Sequence, residues 1–431
     1  MKVWIIQDGE PIPGIDENTR DWRSAILAKA LVARGHEVLW WASTFDHALK
    51  RFRFETARTV ELQPGLQVRL LHGPGYRHNK SPKRFWHHRT LAANYAREIT
   101  HHPPPDLIFC SIPTLELAEQ SVVYGRTRQV PVAVDVRDTW PDLYLNLFPT
   151  SLRGVARRLL RSEFRRAENL FQAADSIIAV SDTYLDWALR YARRNSPNDA
   201  VFPLGYSFSP AGSQAKNDEE ILRWRQRLGA NPDSLIVTFV GTFGSSYDLE
   251  TVIRSAASIA RTHSSLDIRI VIAGDGDQGT KLRQMGADIP SIVFTGWLNQ
   301  SELAELMRIT SVGLAAYAKD ALQSLPNKPF EYMAAGLPLL SSLPGELEAL
   351  ITKYNIGLQY RAGDAQSLAE KIVWLAEHPS EREAMGQRSR ALFEERFRAD
   401  LIYPMLAVHL ENVVAHAATA GTASSYSEGK I

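Results

Sequence analysis

The chain is 431 residues long, too long for one compact core, and its 45% hydrophobic and 23% charged content is that of an ordinary globular protein with two domains. A formal charge of +1 excludes global steering toward nucleic acid or membrane, so any electrostatic preference has to be local. The single cysteine, Cys110, excludes an intramolecular disulfide and a multi-cysteine zinc site; at the end of the apolar run LIFC it reads as a buried structural thiol.

Short apolar runs alternate with helical patterns along the chain. Strands are predicted over 3–7, 37–41, 67–72, 107–110, 132–136 and 176–180, with a helix over 26–34. A polar stretch over 205–218, rich in Ser, Gly and Pro, reads as a linker. Strands resume over 236–240, 268–273, 292–294, 312–315 and 339–341, with helices over 301–308 and 367–377. Several strands are rich in Val and Ile without alternation, as parallel strands covered on both faces require. Repeated strand–helix units predict an α/β chain of two Rossmann-like domains with a cleft between them. Their expected limits are 1–205 and 219–398, with a helix around 400–415 packing back on the first and a disordered tail over 416–431. No signal peptide precedes the first strand and no apolar run approaches the ~20 residues of a membrane span, so a cytoplasmic protein is expected.

The second half carries glycine turns at successive strand ends. In VTFVGTFGSSYDLETVI, Gly241 and Gly244 let the backbone approach a phosphate, and Asp248 can cap the next helix. The next strand runs into AGDGDQGTKL with Gly274 and Gly276, and the one after into FTGWLNQSEL with Gly296 and Trp297. Trp297 can stack on a nucleobase, although a tryptophan in a packed loop is more often core. The segment over 325–346, LPNKPFEYMAAGLPLLSSLPGE, opens a helix with Asn327, Lys328 and Glu331 near its first turn. Free N–H groups and a partial positive charge at such a terminus suit a phosphate, and Glu331 can accept from sugar hydroxyls. Each turn alone is equally an ordinary strand–helix connection. Together, at the strand ends of one sheet, they outline a nucleotide-diphosphate site.

The order of glycine turn, GDG, FxG and xxFEYMAAGxP helix resembles the donor-binding half of the GT-B retaining glycosyltransferases of family four. In the first half, LAKALVARGHEV and ADSIIAVS resemble that family's first helix with its second strand, and a later strand. The likeness covers the chain apart from its tail, and NKxFEYMAAG is similar to the form found in WbuB-like transferases that make cell-surface polysaccharides. It implies retaining transfer from a UDP- or GDP-linked sugar without metal or other cofactor. Amides and cations would stabilise the leaving diphosphate, and domain closure would exclude water. Glu331 matches the glutamate that accepts hydrogen bonds from the nucleotide's ribose. Gln323 stands where the family often has a second glutamate. Thr242 and Tyr247 stand where an arginine and a lysine usually clamp phosphate, so Lys328 becomes the candidate cation, against its reading as a solvated surface lysine. The candidate donor set is therefore Gly241, Thr242, Gly244, Gly274, Gly276, Trp297, Gln323, Asn327, Lys328 and Glu331.

In the first half, PVAVDVRDTWPDLY puts Arg137 and Asp138 where the family often has a His-Asp pair. Arg137 can bind an acceptor pyrophosphate bidentately, and Asp138 can orient the attacking hydroxyl or act as a base. The alternative is an internal Arg–Asp pair. The opening loop GEPIPGIDENTRDWRS replaces a frequent glycine pair with Asp16, Arg20 and Arg23. Acceptor candidates are Arg23, Asn79, Arg84 and Arg137; catalytic candidates are Asp138, Arg137, Lys328 and Glu331.

Two basic stretches interleave aromatic or apolar residues. The stretch over 76–92 holds Lys80, Lys83, Arg84 and Arg89 with Phe85 and Trp86; the stretch over 151–171 holds Arg153, Arg157, Arg158, Arg161, Arg165 and Arg166. Such helices lie on anionic membranes, which predicts a peripheral protein at the inner face of the cytoplasmic membrane. The alternative is a solvated amphipathic helix packed on its own sheet. No recognition module for nucleic acid is present. His87–His88 and His101–His102 are not spaced as a helix-borne metal motif, so no metal is expected. The expected reaction is sugar transfer to a glycan acceptor, one carried on a polyprenyl diphosphate included. A sugar-nucleotide epimerase and a non-catalytic nucleotide-sugar-binding component of a polysaccharide assembly complex are the alternatives, the latter kept open by the altered clamp.

Overall fold

The computed structural model describes residues 1–16, 20–79, 81–146, 148–207 and 218–427. The chain divides into two compact units, Met1–Pro203 with Asp400–Ile431, and Leu204–Ala399.

The first unit contains strands β1 (Lys2–Ile6), β2 (Glu37–Ser43), β3 (Phe45–Asp46), β4 (Arg51–Phe52), β5 (Arg58–Gln63), β6 (Leu66–Leu71), β7 (Leu107–Ile112), β8 (Val132–Val136), β9 (Ser176–Ala179) and β10 (Ala200–Val201). Eight of them form one sheet in the order β10-β9-β8-β7-β1-β2-β6-β5, with β3 and β4 as a separate hairpin. Its pairs are parallel except β5 with β6. The helices are α1 (Arg23–Ala33), α2 (Pro82–Glu98), α3 (Leu115–Arg128), α4 (Asp142–Leu145), α5 (Arg153–Leu159), α6 (Arg161–Ala173) and α7 (Asp182–Ala192). Every residue of β7 and β8 is buried, which is why those strands are unbroken apolar runs. Cys110 is wholly buried there, and burial pushes its thiol pKa up, so it is an inert core group.

The second unit holds β11 (Leu235–Val240), β12 (Ile268–Ala273), β13 (Ile292–Gly296), β14 (Val312–Ala315), β15 (Leu339–Ser341) and β16 (Gly357–Gln359). They form a parallel sheet in the order β13-β12-β11-β14-β15-β16. Its helices are α8 (Asp218–Leu228), α9 (Leu249–Thr262), α10 (Gly279–Gly286), α11 (Gln300–Ile309), α12 (Asn327–Ala334), α13 (Glu346–Tyr354), α14 (Ala365–Glu377) and α15 (Pro379–Arg396). Alternate residues go to opposite faces: Val237, Phe239, Ile270 and Ile272 pack with α9 and α14, while Ile236 and Val271 pack with Trp224 of α8 and Leu306 of α11. The chain runs outward from β11 to β13, then crosses to β14 on the other side. That reversal opens a crevice beyond the carboxyl ends of β11 and β14, where open parallel sheets take ligands.

The last helix, α16 (Ala399–Ser427), lies with the first unit. It buries Ile402, Tyr403, Leu406, Leu410 and Val413, and Glu411 accepts from Arg34 at 2.7 Å. The described part of the expected 416–431 tail is helical, since its alanines favour helix where large apolar groups are lacking; residues 428–431 lie outside the described residues. So do 208–217 of the linker stretch and Lys80. Tyr206, at the start of that stretch, exchanges backbone hydrogen bonds with Phe397 and Ala399 (2.9 and 3.1 Å). No described helix is long and apolar enough to cross a membrane.

Candidate functional site

The crevice in the second unit is built from stacked turns. Gly241 N–H donates to the Ala273 carbonyl (3.0 Å), Phe243 N–H to the Asp275 carbonyl (2.9 Å), and Gly274 N–H to the Gly296 carbonyl (2.9 Å). A Cβ on Gly274 would stand 1.9 Å from the Gly241 oxygen, and one on Gly276 would stand 2.8 Å from the Phe243 nitrogen. These two glycines are required by the packing of one turn on the next. Gly244 differs: an added Cβ there meets nothing within 4 Å, so the open backbone lies at Gly244 and the exposed Thr242. Asp248 caps α9 through Thr251 N–H (3.1 Å) and Thr251 Oγ1 (2.6 Å). Trp297 is 68% exposed and so is not the core tryptophan that a packed loop more often holds.

Helix α12 is fixed against the same turn. The Tyr332 hydroxyl accepts from Val240 N–H (3.0 Å) and donates to the Leu314 carbonyl (3.2 Å), tying the helix to the ends of β11 and β14. Gly313 makes room for it, since a Cβ there would lie 2.3 Å from Tyr332 Cγ. At the helix start Lys328 Nζ donates to Glu331 Oε2 at 3.1 Å, with the carboxylate buried and the lysine more open. Gln323 Oε1 is buried with no hydrogen-bond partner among the described residues. Next to it Ser324 Oγ donates to Glu346 (2.6 Å), joining this loop to α13.

Tyr247, in the position of the missing lysine, lays its ring on Tyr317 (5.1 Å) and Phe239 (5.0 Å). Burial pushes the Tyr247 and Tyr317 hydroxyls above their ordinary range, and the nearby Glu331 charge adds to the push. The structure thus brings the Gly241 turn, Tyr247, Lys328 and Glu331 to one end of the sheet. Tyr317 and Tyr332 carry no sequence signal as site-building residues, and Tyr247 is legible there only as the occupant of the clamp-lysine position. Gly313 inside an apolar strand was the one local sign that something approaches closely there.

In the first unit the switch of strand order falls between β1 and β7. Thr114 Oγ1 there donates to Asp8 Oδ1 (2.7 Å). Burial pushes His87 and His88 down to about 4, leaving both neutral near pH 7. No cluster of three or more His, Cys, Asp or Glu suited to a metal exists among the described residues.

Two sequence-predicted acceptor residues are internal. Arg23 is buried and donates to Asp135 (2.8 Å) and to the Phe202 carbonyl (2.9 Å). Arg137 spends its guanidinium on Asp135, Glu10, Ser24 Oγ (3.0 Å) and Ser111 Oγ (2.9 Å). The hydrogen bonds of each take up four of its five guanidinium N–H groups, which leaves no pair of donors for a pyrophosphate. The reading of Arg137 as a bidentate acceptor clamp is therefore corrected: it is a structural ion-pair member, and its partner is Asp135 rather than Asp138. Arg84 and Asn79 are placed differently. Arg84 lies over the Trp140 ring (5.4 Å) and donates to the Asn79 carbonyl (3.3 Å); Lys50 Nζ donates to Asn79 Oδ1 (2.6 Å). Asp138 belongs to this group. Burial pushes its carboxyl up to about 6, while hydrogen bonds from Trp140 Nε1 (3.2 Å) and Thr139 N–H (3.1 Å) and the Arg84 charge pull the other way.

Each unit matches a family profile of its own. "Glycosyltransferase Family 4" matches residues 25–202, and "Glycosyl transferases group 1" matches residues 220–392. The chain belongs to the GT4-type glycosyltransferases of GT-B fold. This family-four chain is similar to the N-acetyl-alpha-D-glucosaminyl L-malate synthase of Bacillus anthracis, 21% identical over 54% of this chain and 58% of that protein. It is also similar to the O-antigen chain mannosyltransferase C of Escherichia coli, 24% identical over 57% of this chain and 62% of that one. The chain thus spans little more than half the length of the curated relatives it matches. Among solved structures, Anabaena HepE in complex with UDP superposes with a TM-score of 0.66 at 16% identity, covering 95% of this chain and 99% of that one. WaaG, a glycosyltransferase involved in lipopolysaccharide biosynthesis, gives 0.65 at 13% identity, covering 94% and 98%. At such identities these two bear on the fold of the family-four chain and not on its substrates.

Proposed function

We propose that this chain moves a sugar from a nucleotide-diphosphate sugar to a hydroxyl of a lipid-linked glycan, with retention of anomeric configuration, in cell-surface polysaccharide synthesis at the inner face of the cytoplasmic membrane. The observation that carries this reading is the meeting of the Gly241 turn with the Lys328–Glu331 helix start beyond β11 and β14. The diphosphate lies against the open backbone at Thr242–Gly244 and the Lys328 ammonium; Glu331 accepts from the ribose, and Gln323 Oε1 from a sugar hydroxyl. As the bond from the anomeric carbon to the diphosphate breaks, the amides and Lys328 hold the departing charge. The acceptor oxygen forms the new bond and gives up its proton. On the first unit, Arg84 and Asn79 position the acceptor, and Asp138 orients its hydroxyl or takes that proton. Relatives that carry mannosyltransferase and glucosaminyl names support a nucleotide-sugar donor.

The test begins with a thermal-shift screen of UDP- and GDP-linked sugars, because a ligand selective for the native state raises the midpoint. The ligands found are then incubated with and without a polyprenyl-diphosphate-linked acceptor. Acceptor-dependent release of nucleotide diphosphate, with the new bond in the donor's configuration, is expected. Epimer formed without acceptor would establish the epimerase instead. Donor binding with no turnover on any acceptor would favour the non-catalytic reading, which Tyr247 in place of a clamp lysine keeps open.

A further inference from the structure

The basic stretch over 151–171 folds as two helices that bury different amounts. α6 sends Phe164, Ala167, Leu170 and Phe171 inward. In α5 only Ala156 is buried, while Val155 and Leu159 are 59% and 75% exposed. Leu152, just before α5, is 50% exposed as well and extends them to the spacing i, i+3, i+7 of one helical stripe. Single exposed apolar residues are normal, but a continuous stripe marks a contact surface.

Beside this stripe a groove of about 510 Å³ opens among α4, α5, α6 and α7. Its walls carry Arg157, Arg161, Arg165, Arg190 and Arg193, opposed only by Asp142 and Glu168. Both carboxylates are already engaged. Asp142 accepts from Trp187 Nε1 (2.9 Å) and the Tyr191 hydroxyl (2.5 Å), and Glu168 pairs with Arg193 (2.6 Å). The Arg157 guanidinium sits over the Phe164 ring at 4.1 Å and pairs with Asp142 (3.4 Å), while Arg161, Arg165 and Arg190 form no ion pair among the described residues. A concavity with this surplus of guanidinium groups recognises a phosphate ester.

We propose that the groove seats the phosphate headgroup of an anionic bilayer lipid while the stripe from Leu152 to Leu159 enters the membrane interface. Arg157 belongs to both α5 and the groove, so the cationic and apolar surfaces are continuous, as a lipid's headgroup and chain are. The inference deepens the membrane part of the function proposed above and rests on it.

The experiment is co-sedimentation of the full chain with phosphatidylcholine vesicles, with and without phosphatidylglycerol. Binding should need phosphatidylglycerol and weaken with salt. Arg161→Gln/Arg165→Gln/Arg190→Gln should lower partitioning roughly 100-fold, since each basic residue at an anionic surface multiplies it several-fold. Dihexanoyl-phosphatidylglycerol below its micellar concentration should raise the melting midpoint of the wild type and not of the triple variant, which separates a seated headgroup from diffuse charge. Equal binding to neutral vesicles, or a triple variant that partitions normally, overturns the proposal. So does inorganic pyrophosphate raising the midpoint through these arginines when the short-chain lipid does not. Nucleotide-sugar binding and turnover on a short-chain acceptor are measured in parallel. Normal values without vesicle binding would remove this inference and leave the transfer reading standing.

Discussion

Lys328 Nζ lies 3.1 Å from Glu331 Oε2, one turn apart on α12, with the lysine side chain 22% exposed and the glutamate 6%. The carboxylate therefore sits behind the ammonium and holds it at the helix start. In the donor site proposed above, a diphosphate approaching from solvent would meet the cation first and draw it forward, freeing a Glu331 lone pair for a ribose hydroxyl. One ion pair would in this way couple the capture of charge to the capture of sugar.

Lys328→Ala is expected to lower kcat by roughly 10²- to 10³-fold, the loss that follows removal of one donor to a departing oxyanion. Glu331→Gln should instead raise the donor KM by roughly 10- to 100-fold, the worth of a hydrogen bond to a charged group. Steady-state kinetics separate the two effects. Wild-type kcat in Lys328→Ala would end its assignment to the diphosphate.

The anchoring of α12 predicts a stability effect away from any ligand. Tyr332→Phe leaves the Val240 N–H without its partner, at a cost of about 1–3 kcal/mol. Gly313→Ala drives a methyl into the Tyr332 ring and should cost a similar amount, about 1–3 kcal/mol. Urea unfolding of Gly313→Ala, Tyr332→Ala and the double variant should give clearly non-additive losses, because the alanine at 332 removes the ring that clashes. Additive losses would mean that the close approach is not what requires glycine.

How far the sequence could be read follows from what each residue touches. The Val- and Ile-rich strands β7, β8, β11 and β12 were legible because both faces are buried, which leaves a continuous apolar run. β5 was not, since Arg58, Thr59 and Glu61 lie on an exposed edge held by its antiparallel neighbour. The glycine turns were found, but spacing alone could not separate Gly274 and Gly276, which fit against another turn, from the open Gly244. Arg137 and Arg84 look alike in sequence; only the fold brings Asp135 and Glu10 to the first and Trp140 to the second. Helical spacing located the apolar residues of α5 and α6, yet whether a face is covered is a tertiary fact.

Asp135 makes the first unit sensitive to acid. Burial alone would raise its carboxyl, but Arg23 and Arg137 outweigh burial and hold it below its usual 3.8. A depressed folded pKa means stabilisation present above about 4, the usual aspartate range, and lost as pH falls through the folded value. Asp135→Ala should cost about 3–5 kcal/mol at neutral pH, because two buried arginines lose their counter-charge. The variant should also lose part of the acid dependence seen in wild-type urea midpoints below pH 4. An unchanged midpoint at pH 7 would show that Glu10 and the backbone carbonyls suffice for both arginines.

Asp138 carries the opposite sign. Burial raises its carboxyl from 3.8 to about 6, so the folded state holds a proton that the unfolded chain releases earlier. The group therefore subtracts stability as pH rises from 3.8 to about 6, and the penalty stays constant above that. Asp138→Asn should then gain stability relative to wild type at pH 8 and show no gain near pH 3. If Asp138 orients or deprotonates the acceptor hydroxyl, wild-type kcat/KM should climb along a limb centred at about 6 and level off by neutral pH. In Asp138→Asn that limb should vanish and the plateau fall by roughly 10²- to 10⁴-fold, the usual worth of a general base. The stability and rate measurements decide between two roles. A stability gain with an unchanged pH–rate profile would make Asp138 a buried structural carboxyl beside Trp140, whereas loss of the limb assigns it to the reaction.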